Sequence, residues 1–166
     1  DLAELVQKLE PSSGRERGAT TDTEIMTALI SLQNEKNVEA SAMSVLPQLE
    51  GAFSLVFMDE HTLYAARDRH GVRPLVLGKL ENGWVVASES AALDIVGAAF
   101  VREIEPGEFV AIDATGVRSE RWAPAEPKGC LFEYVYLARP DTTIAGQGIH
   151  ATRVRIGERL AKEAPV

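Results

Sequence analysis

The sequence predicts an α+β fold in which helices flank mainly antiparallel β-strands. Apolar residues recur at helical spacing through the first fifty residues, whereas residues 52–122 consist of short apolar or β-branched segments separated by turn residues. At 166 residues, 45% of them apolar, the chain is long enough for one domain with a core and too short for two large ones. We expect a layered domain that buries one sheet face against helices, and often the other against a second sheet.

Three helices are predicted before residue 50. The first covers residues 2–9 and ends before a Pro-Ser-Ser-Gly loop. The second begins in the segment GATTDTEI, where Thr21 followed three residues later by Glu24 forms a capping box. The third covers residues 38–49, with Pro47 near its last turn.

Six strands in a meander are predicted after residue 50. The connectors at residues 59–61 and 81–83 suit hairpins, so neighbouring strands should be antiparallel. A short helix is predicted over residues 90–96 and another over 151–163, whereas residues 130–142 fit neither pattern. Residues 123–129, APAEPKG, indicate a domain boundary. The predicted strands are 52–58, 62–68, 75–80, 84–89, 109–113 and 117–122.

Charge and composition exclude several classes of protein. The formal net charge is −8, and no basic cluster is longer than a few residues, which argues against nucleic acid and against anionic membranes as partners. No apolar run could span a membrane, and the first ten residues lack the features of a signal peptide. The single cysteine, Cys130, excludes an internal disulfide framework and fits a reducing cytoplasm.

Motifs that would identify a catalytic centre are absent. The three histidines lie far apart in sequence, and neither a P-loop, a dinucleotide-binding fingerprint nor a nucleophile elbow occurs. We therefore predict no catalytic residue in this chain. The aromatic residues Phe53, Phe57, Trp84 and Trp122 are expected to lie in the core or on a sheet face.

Two polar features are less ordinary. The capping box already satisfies the first amides of the second helix, so Asp22 either complements the helix dipole or holds a positive group. The segment RDRHGVRPLVLG, residues 67–78, gathers Arg67, Arg69 and Arg73 with Asp68 around a tight Gly71 turn. Its simplest interpretation is a solvated turn with weak surface ion pairs.

The chain closely resembles the amidophosphoribosyltransferase family in six segments that follow one order. They are GATTDTEI, LEGAFSLVFMD, RDRHGVRPLVLG, VVASESAALD, VREIEPGE and CLFEYVYLARPDT. The resemblance extends from Asp1 to Val166. The first segment also occurs in relatives such as glucosamine-6-phosphate synthase and asparagine synthetase, whereas the last two favour the phosphoribosyl enzyme.

This resemblance implies an N-terminal-nucleophile hydrolase-type αββα sandwich, incomplete at both ends. Residues 1–122 would be the second half of a glutamine amidotransferase domain, and residues 123–166 an interdomain linker with the first elements of a phosphoribosyltransferase domain. The intact enzyme would transfer glutamine-derived ammonia to 5-phosphoribosyl pyrophosphate (PRPP), forming 5-phosphoribosylamine in purine biosynthesis. Glutamine and PRPP are the implied partners, Mg²⁺ would bind in the downstream domain, and the intact enzyme would be a homo-oligomer.

The resemblance also implies roles for particular residues. In the family, the aspartate that matches Asp22 pairs with the α-ammonium of bound glutamine. Cys130 matches one of the four cysteine ligands of a [4Fe–4S] cluster present in one branch, and a cluster normally needs all four thiolates. Tyr134, Tyr136 and Arg139 fall in an interdomain segment and have no implied catalytic role.

The family nucleophile is an N-terminal cysteine whose own amine serves as base, whereas Asp1 begins this chain. We therefore expect a fragment that is inactive alone, and poorly soluble because half of a sandwich leaves strand edges unpaired. Three alternatives stay open: a domain of another glutamine amidotransferase, a non-catalytic interaction module derived from one, and half of a split enzyme.

Overall fold

The computed structural model describes residues 21–165, and it divides at the junction between Gly51 and Ala52 into two compact units. The predicted helix over residues 2–9 lies outside the described residues. Within the described range, no helix is long and apolar enough to cross a lipid bilayer.

The first unit contains two helices whose apolar faces meet at Ile25, Leu29 and Val45, all three of which are buried. The predicted capping box is confirmed, because the Thr21 hydroxyl accepts the Glu24 N–H and the Glu24 carboxylate accepts the Thr21 N–H. The elements are α1 (Asp22–Leu32), α2 (Val38–Val45) and a 3₁₀ turn (Leu46–Gln48) that contains Pro47.

The second unit begins with seven strands and one short helix. All six predicted strands are confirmed to within two residues, and so is the short helix. The elements are β1 (Ser54–Met58), β2 (Leu63–Arg67), β3 (Val76–Leu80), β4 (Gly83–Ala87), α3 (Ser90–Ile95), β5 (Ala99–Glu103), β6 (Glu108–Asp113) and β7 (Gly116–Arg121).

The seven strands form two antiparallel sheets, in which β2 pairs with β6 and β3 with β5, so the prediction that the strands follow one another as a meander is wrong. One sheet has the order β1-β2-β6-β7 and the other the order β4-β3-β5. The strand that the sequence did not reveal is β5. Its consecutive residues Phe100 and Val101 are both exposed, and therefore they lack the alternation of buried and exposed positions that marks a half-buried strand.

The two sheets pack face to face, as the predicted layered α+β domain requires. One apolar cluster joins residues of the four-stranded sheet to residues on and beside the three-stranded sheet. Helix α3 covers the opposite face of the three-stranded sheet, where Leu93 packs with Val76 and Ala98. We call residues 54–121 the two-sheet body. The cluster between its sheets contains Ala65, Leu75, Leu77, Ile104, Val110 and Ile112.

The chain then returns along the body and ends in a helix. The Glu126 and Lys128 N–H groups donate to the carbonyls of Arg69 and His70, both at 2.8 Å. The predicted terminal helix is confirmed, and residues 130–142 contain a π-helical turn. The predicted domain boundary after residue 122 stays a prediction. The elements are the π-helical turn (Glu133–Leu137), β8 (Thr143–Ile144), β9 (Gln147–Gly148) and α4 (Ile149–Glu163).

Candidate functional site

The first candidate site residue, Asp22, is the first residue of α1. Its side chain is exposed, and within residues 21–165 no hydrogen bond or ion pair involves its carboxylate. Thr21 and Glu24 already cap the helix. The Asp22 carboxylate is therefore not used for capping, and it stands at the positive end of the helix dipole.

Arg67 is the last residue of β2, and its side chain contacts the turn between β2 and β3. Its side chain is 7% exposed and donates to three backbone carbonyls, those of Gly71 at 2.9 Å, Arg73 at 2.9 Å and Ile104 at 2.7 Å. An ion pair to Glu103, 3.5 Å away, adds a carboxylate to this network. The prediction of a solvated turn is therefore wrong at Arg67.

The same prediction is wrong at Asp68, which is fully buried. Its carboxylate accepts the N–H of Phe53 at 3.2 Å and the N–H of His70 at 2.8 Å. Asp68 thereby joins the start of β1 to the turn. Buried charges are retained only where partners compensate for the lost water, and here the partners are mainly backbone groups. By contrast, Arg69 is half exposed and pairs with Glu126, as a surface ion pair would.

Cys130 lies on a cavity of about 360 Å³ beside this turn, whose lining also includes Glu103, Glu105 and Glu133. Within the described part of the chain, no group of three or more His, Cys, Asp and Glu side chains is arranged to hold a metal. Since the chain has one cysteine, it could supply one of the four thiolates that a [4Fe–4S] cluster needs. These residues do not form a cluster site by themselves.

Two arginines, Arg73 and Arg153, bind the π-helical turn. Arg73 pairs at 2.5 Å with the buried carboxylate of Glu133, and Arg153 of α4 donates to the carbonyls of Tyr134 at 2.8 Å and Ala138 at 2.7 Å. Burial, and then the nearby charge of Glu103, raises the pKa of the Tyr134 hydroxyl above its ordinary value of 10.0, so it stays a hydrogen-bond donor. The two Arg153 hydrogen bonds satisfy backbone carbonyls of the π-helical turn. Turns of this kind are often found at functional sites.

The loop of residues 139–145 is held by carboxylates of the two-sheet body. Glu89 accepts both the Arg139 N–H at 3.0 Å and the Thr142 hydroxyl at 2.7 Å. Glu103 accepts the Ala145 N–H at 2.6 Å. Sequence reasoning missed both carboxylates, because a glutamate beside a short helix (Glu89) or at the end of a strand (Glu103) has the pattern of an ordinary surface residue.

Along the chain, helices precede and follow two facing antiparallel sheets, and an exposed carboxylate lies on the first turn of α1. Residues 1–95 match the family of glutamine amidotransferase domains. The chain therefore belongs to the glutamine amidotransferase domain family.

Its relatives include enzymes of one particular activity, which confirms the resemblance noted in the sequence. The chain is 64% identical to the amidophosphoribosyltransferase of Mycobacterium tuberculosis over 149 residues, which are 89% of this chain and 28% of that protein. It is 44% identical to the amidophosphoribosyltransferase of Synechococcus elongatus over 99% of this chain and 35% of that protein.

A solved structure shows the same fold. Glutamine PRPP amidotransferase from B. subtilis, in complex with ADP and GMP, superposes with a TM-score of 0.92 at 36% identity, covering 99% of this chain and 36% of that one. The predicted α+β class and the likeness to this glutaminase domain are confirmed. The chain spans about a third or less of the length of these relatives.

Proposed function

We propose that this chain is part of an amidophosphoribosyltransferase, which transfers ammonia from glutamine to PRPP and forms 5-phosphoribosylamine. The observation that carries the proposal is the 64% identity to such an enzyme over 89% of the chain. In this enzyme the chain would contribute to the glutamine pocket and to the polypeptide that joins it to the phosphoribosyl site.

Asp22 would bind the α-ammonium group of glutamine. Its carboxylate is exposed and is not used by the capping box. The helix dipole favours a negative group at this position. Asp22 would thereby orient the substrate, and the chemistry on the amide would be carried out by groups outside residues 21–165.

The test is a pair of substitutions in the full-length polypeptide, D22N and E24Q. Each removes one negative charge from the first turn of α1, and glutamine at position 24 can still complete the capping box. If Asp22 binds the ammonium, D22N should raise the KM for glutamine roughly 30-fold or more, since leaving a bound charge unpaired costs about 2–5 kcal/mol. E24Q should change it by less than about 5-fold.

Synthesis of phosphoribosylamine from added ammonia and PRPP is the internal control. It bypasses the glutamine pocket, and both variants should retain it. Equal, small changes in the KM of the two variants would instead assign Asp22 to the helix dipole. An unsubstituted full-length protein that makes no phosphoribosylamine from glutamine and PRPP would contradict the proposed function itself.

Other parts of the proposal concern the remainder of the enzyme. PRPP and Mg²⁺ would bind in polypeptide that follows this chain, and the intact enzyme would form a homo-oligomer in the cytoplasm. Cys130 stays a candidate for one ligand of a [4Fe–4S] cluster. No step of the reaction is assigned to such a cluster.

A further inference from the structure

The polypeptide after the two-sheet body presents an apolar surface. Leu131 and Tyr136 are 72% and 75% exposed, and Leu160 of α4 is 59% exposed. Large exposed apolar side chains, where they form a contiguous patch, indicate a surface that another part of a protein covers. Polypeptide that packs on these side chains would be oriented by the contacts between the two-sheet body and the residues that follow it.

Those contacts concentrate on the 139–145 loop. A single oxygen of Glu89 accepts two hydrogen bonds, from the Arg139 N–H and from the hydroxyl of Thr142, which is 1% exposed. The neighbouring Ser90 hydroxyl accepts the Thr143 N–H at 3.0 Å. Glu89 precedes α3, but it makes no side-chain hydrogen bond that caps that helix. Its carboxylate is directed to the loop.

The loop in turn sets the start of α4. The N–H of Ile149 donates to the Thr142 carbonyl and the N–H of His150 to the Pro140 carbonyl, both at 3.0 Å. The first N–H groups of a helix have no partner within the helix, so these loop carbonyls determine where α4 begins. Glu89 is thus connected to α4 through two short hydrogen-bonded steps.

Glu89 also lines a cavity that the body shares with the π-helical turn. The cavity has a volume of about 380 Å³, and its lining includes Ser54, Arg73, Glu133 and Leu137. The ion pair between Arg73 and Glu133 borders the same space. The residues that fix the segment to the body therefore also shape this cavity.

We propose that Glu89 is a positioning residue that holds the 139–145 loop, and with it α4, against the two-sheet body so that ammonia made at one reaction centre is delivered to the other. The inference rests on the proposed function. Glu89 touches neither reactant in this scheme. It acts mainly as a hydrogen-bond acceptor for the loop, and its charge also faces the Arg139 guanidinium, which is paired with Asp141. Glutamine keeps an acceptor oxygen at this position and should therefore substitute for it.

The experiment compares E89A, E89Q and a matched control, D94A, in the full-length polypeptide. Asp94 is an exposed carboxylate of the same helix α3, and no described residue of the loop is hydrogen-bonded to it. Three rates are measured: glutamate released from glutamine, phosphoribosylamine formed from glutamine, and phosphoribosylamine formed from ammonia. E89A should lower the ratio of the second rate to the first about 5-fold while the third is retained. E89Q and D94A should keep the ratio of the unsubstituted enzyme.

A purely structural role has a different signature. In that case all three rates would fall together in E89A, or none would change, and either result would overturn the inference. Hydrogen exchange supplies a readout that needs no activity. The Ile149 and His150 amides should exchange roughly 10-fold faster or more in E89A and should be unchanged in D94A.

These measurements also separate the two proposals. If the unsubstituted enzyme makes no phosphoribosylamine, the proposed function fails, and the exchange data still decide whether Glu89 holds the loop. Unchanged exchange in E89A would overturn the positioning role whatever the enzyme does. T142V provides a further check: if Glu89 acts through the Thr142 hydroxyl, the effects of T142V and E89A on exchange should be less than additive.

Discussion

The buried guanidinium of Arg67 makes a specific prediction about stability. In R67A, the carbonyls of Gly71, Arg73 and Ile104 lose their donor while the site remains largely closed to water. An unsatisfied buried polar group costs about 1–3 kcal/mol, and removing one member of a buried charged network costs about 3–5 kcal/mol. We therefore expect R67A to destabilise the turn by about 3–5 kcal/mol.

Arg69 provides the matched control. It lies two residues away, its side chain is 46% exposed, and it makes one ion pair, to Glu126 at 2.7 Å. Exposed ion pairs contribute about 0–1 kcal/mol. Both variants remove one arginine from the same turn, so a difference between them reports the environment of the guanidinium and not the net charge.

Hydrogen exchange resolves the effect locally. The Gly71 and Gly107 amides both donate to the Asp68 carbonyl at 3.0 Å and report on the turn. A loss of about 3–5 kcal/mol corresponds to exchange roughly 10² to 10⁴ times faster in R67A. In R69A the change should stay below about tenfold. If the two variants exchange alike, the burial of Arg67 does not stabilise the turn and the reasoning fails.

Two further predictions concern the body. Gly97 and Gly107 have nearly the same left-handed φ, 71° and 73°. A Cβ added at Gly107 would lie 2.4 Å from the Ala123 carbonyl oxygen, whereas a Cβ added at Gly97 would have no neighbouring atom within 4 Å. G107A should therefore cost about 1–3 kcal/mol more than G97A in chemical denaturation, and equal costs would contradict the predicted clash. Burial alone raises the pKa of Glu108, but two hydrogen bonds from Arg102, at 2.7 and 2.8 Å, help to outweigh it and hold the pKa below the usual 4.5. The stability from this pair is then complete above about pH 4.5 and lost as the pH falls. E108Q should lose less stability than the unsubstituted protein between about pH 5 and 3, and equal losses would count against the pair.

Elements governed by local rules could be predicted from the sequence. The Thr21–Glu24 capping box follows from residues three apart, and the hairpin connectors from their turn residues. The strand β5 escaped because its exposed Phe100 and Val101 break the two-residue period. A second sheet was expected, but which strand belongs to which sheet could not be predicted from local patterns, since it depends on β2 pairing with β6, about 45 residues later.

The same distinction between local and long-range contacts applies to the residues of the candidate site. The completed cap singled out Asp22 and left two interpretations open, a partner of the helix dipole or a group that holds a positive charge. The family resemblance favoured the second, which stays a prediction. The buried state of Arg67 and Asp68 was invisible because their partners are backbone groups of residues as distant as Ile104. Charged side chains are rarely buried, so a sequence pattern assigns them to the surface.

Hydrogen bonding to distant backbone groups also explains why Glu89 and Glu103 were not recognised from the sequence. It explains, too, how they can position the 139–145 loop. Their hydrogen-bond partners in the loop are two backbone N–H groups and one hydroxyl. The Arg139 guanidinium, whose charge acts on Glu89 from a distance, is paired directly with Asp141, so no direct ion pair marks the contact. Ala145, which Glu103 holds, has a φ of 48°, a conformation that costs a non-glycine residue about 1–2 kcal/mol. Because two of the three contacts bind the backbone, the position of the loop is set mainly by the body rather than by loop side chains. Changing the body carboxylate should therefore displace the segment, whereas changing most exposed loop side chains should leave it in place.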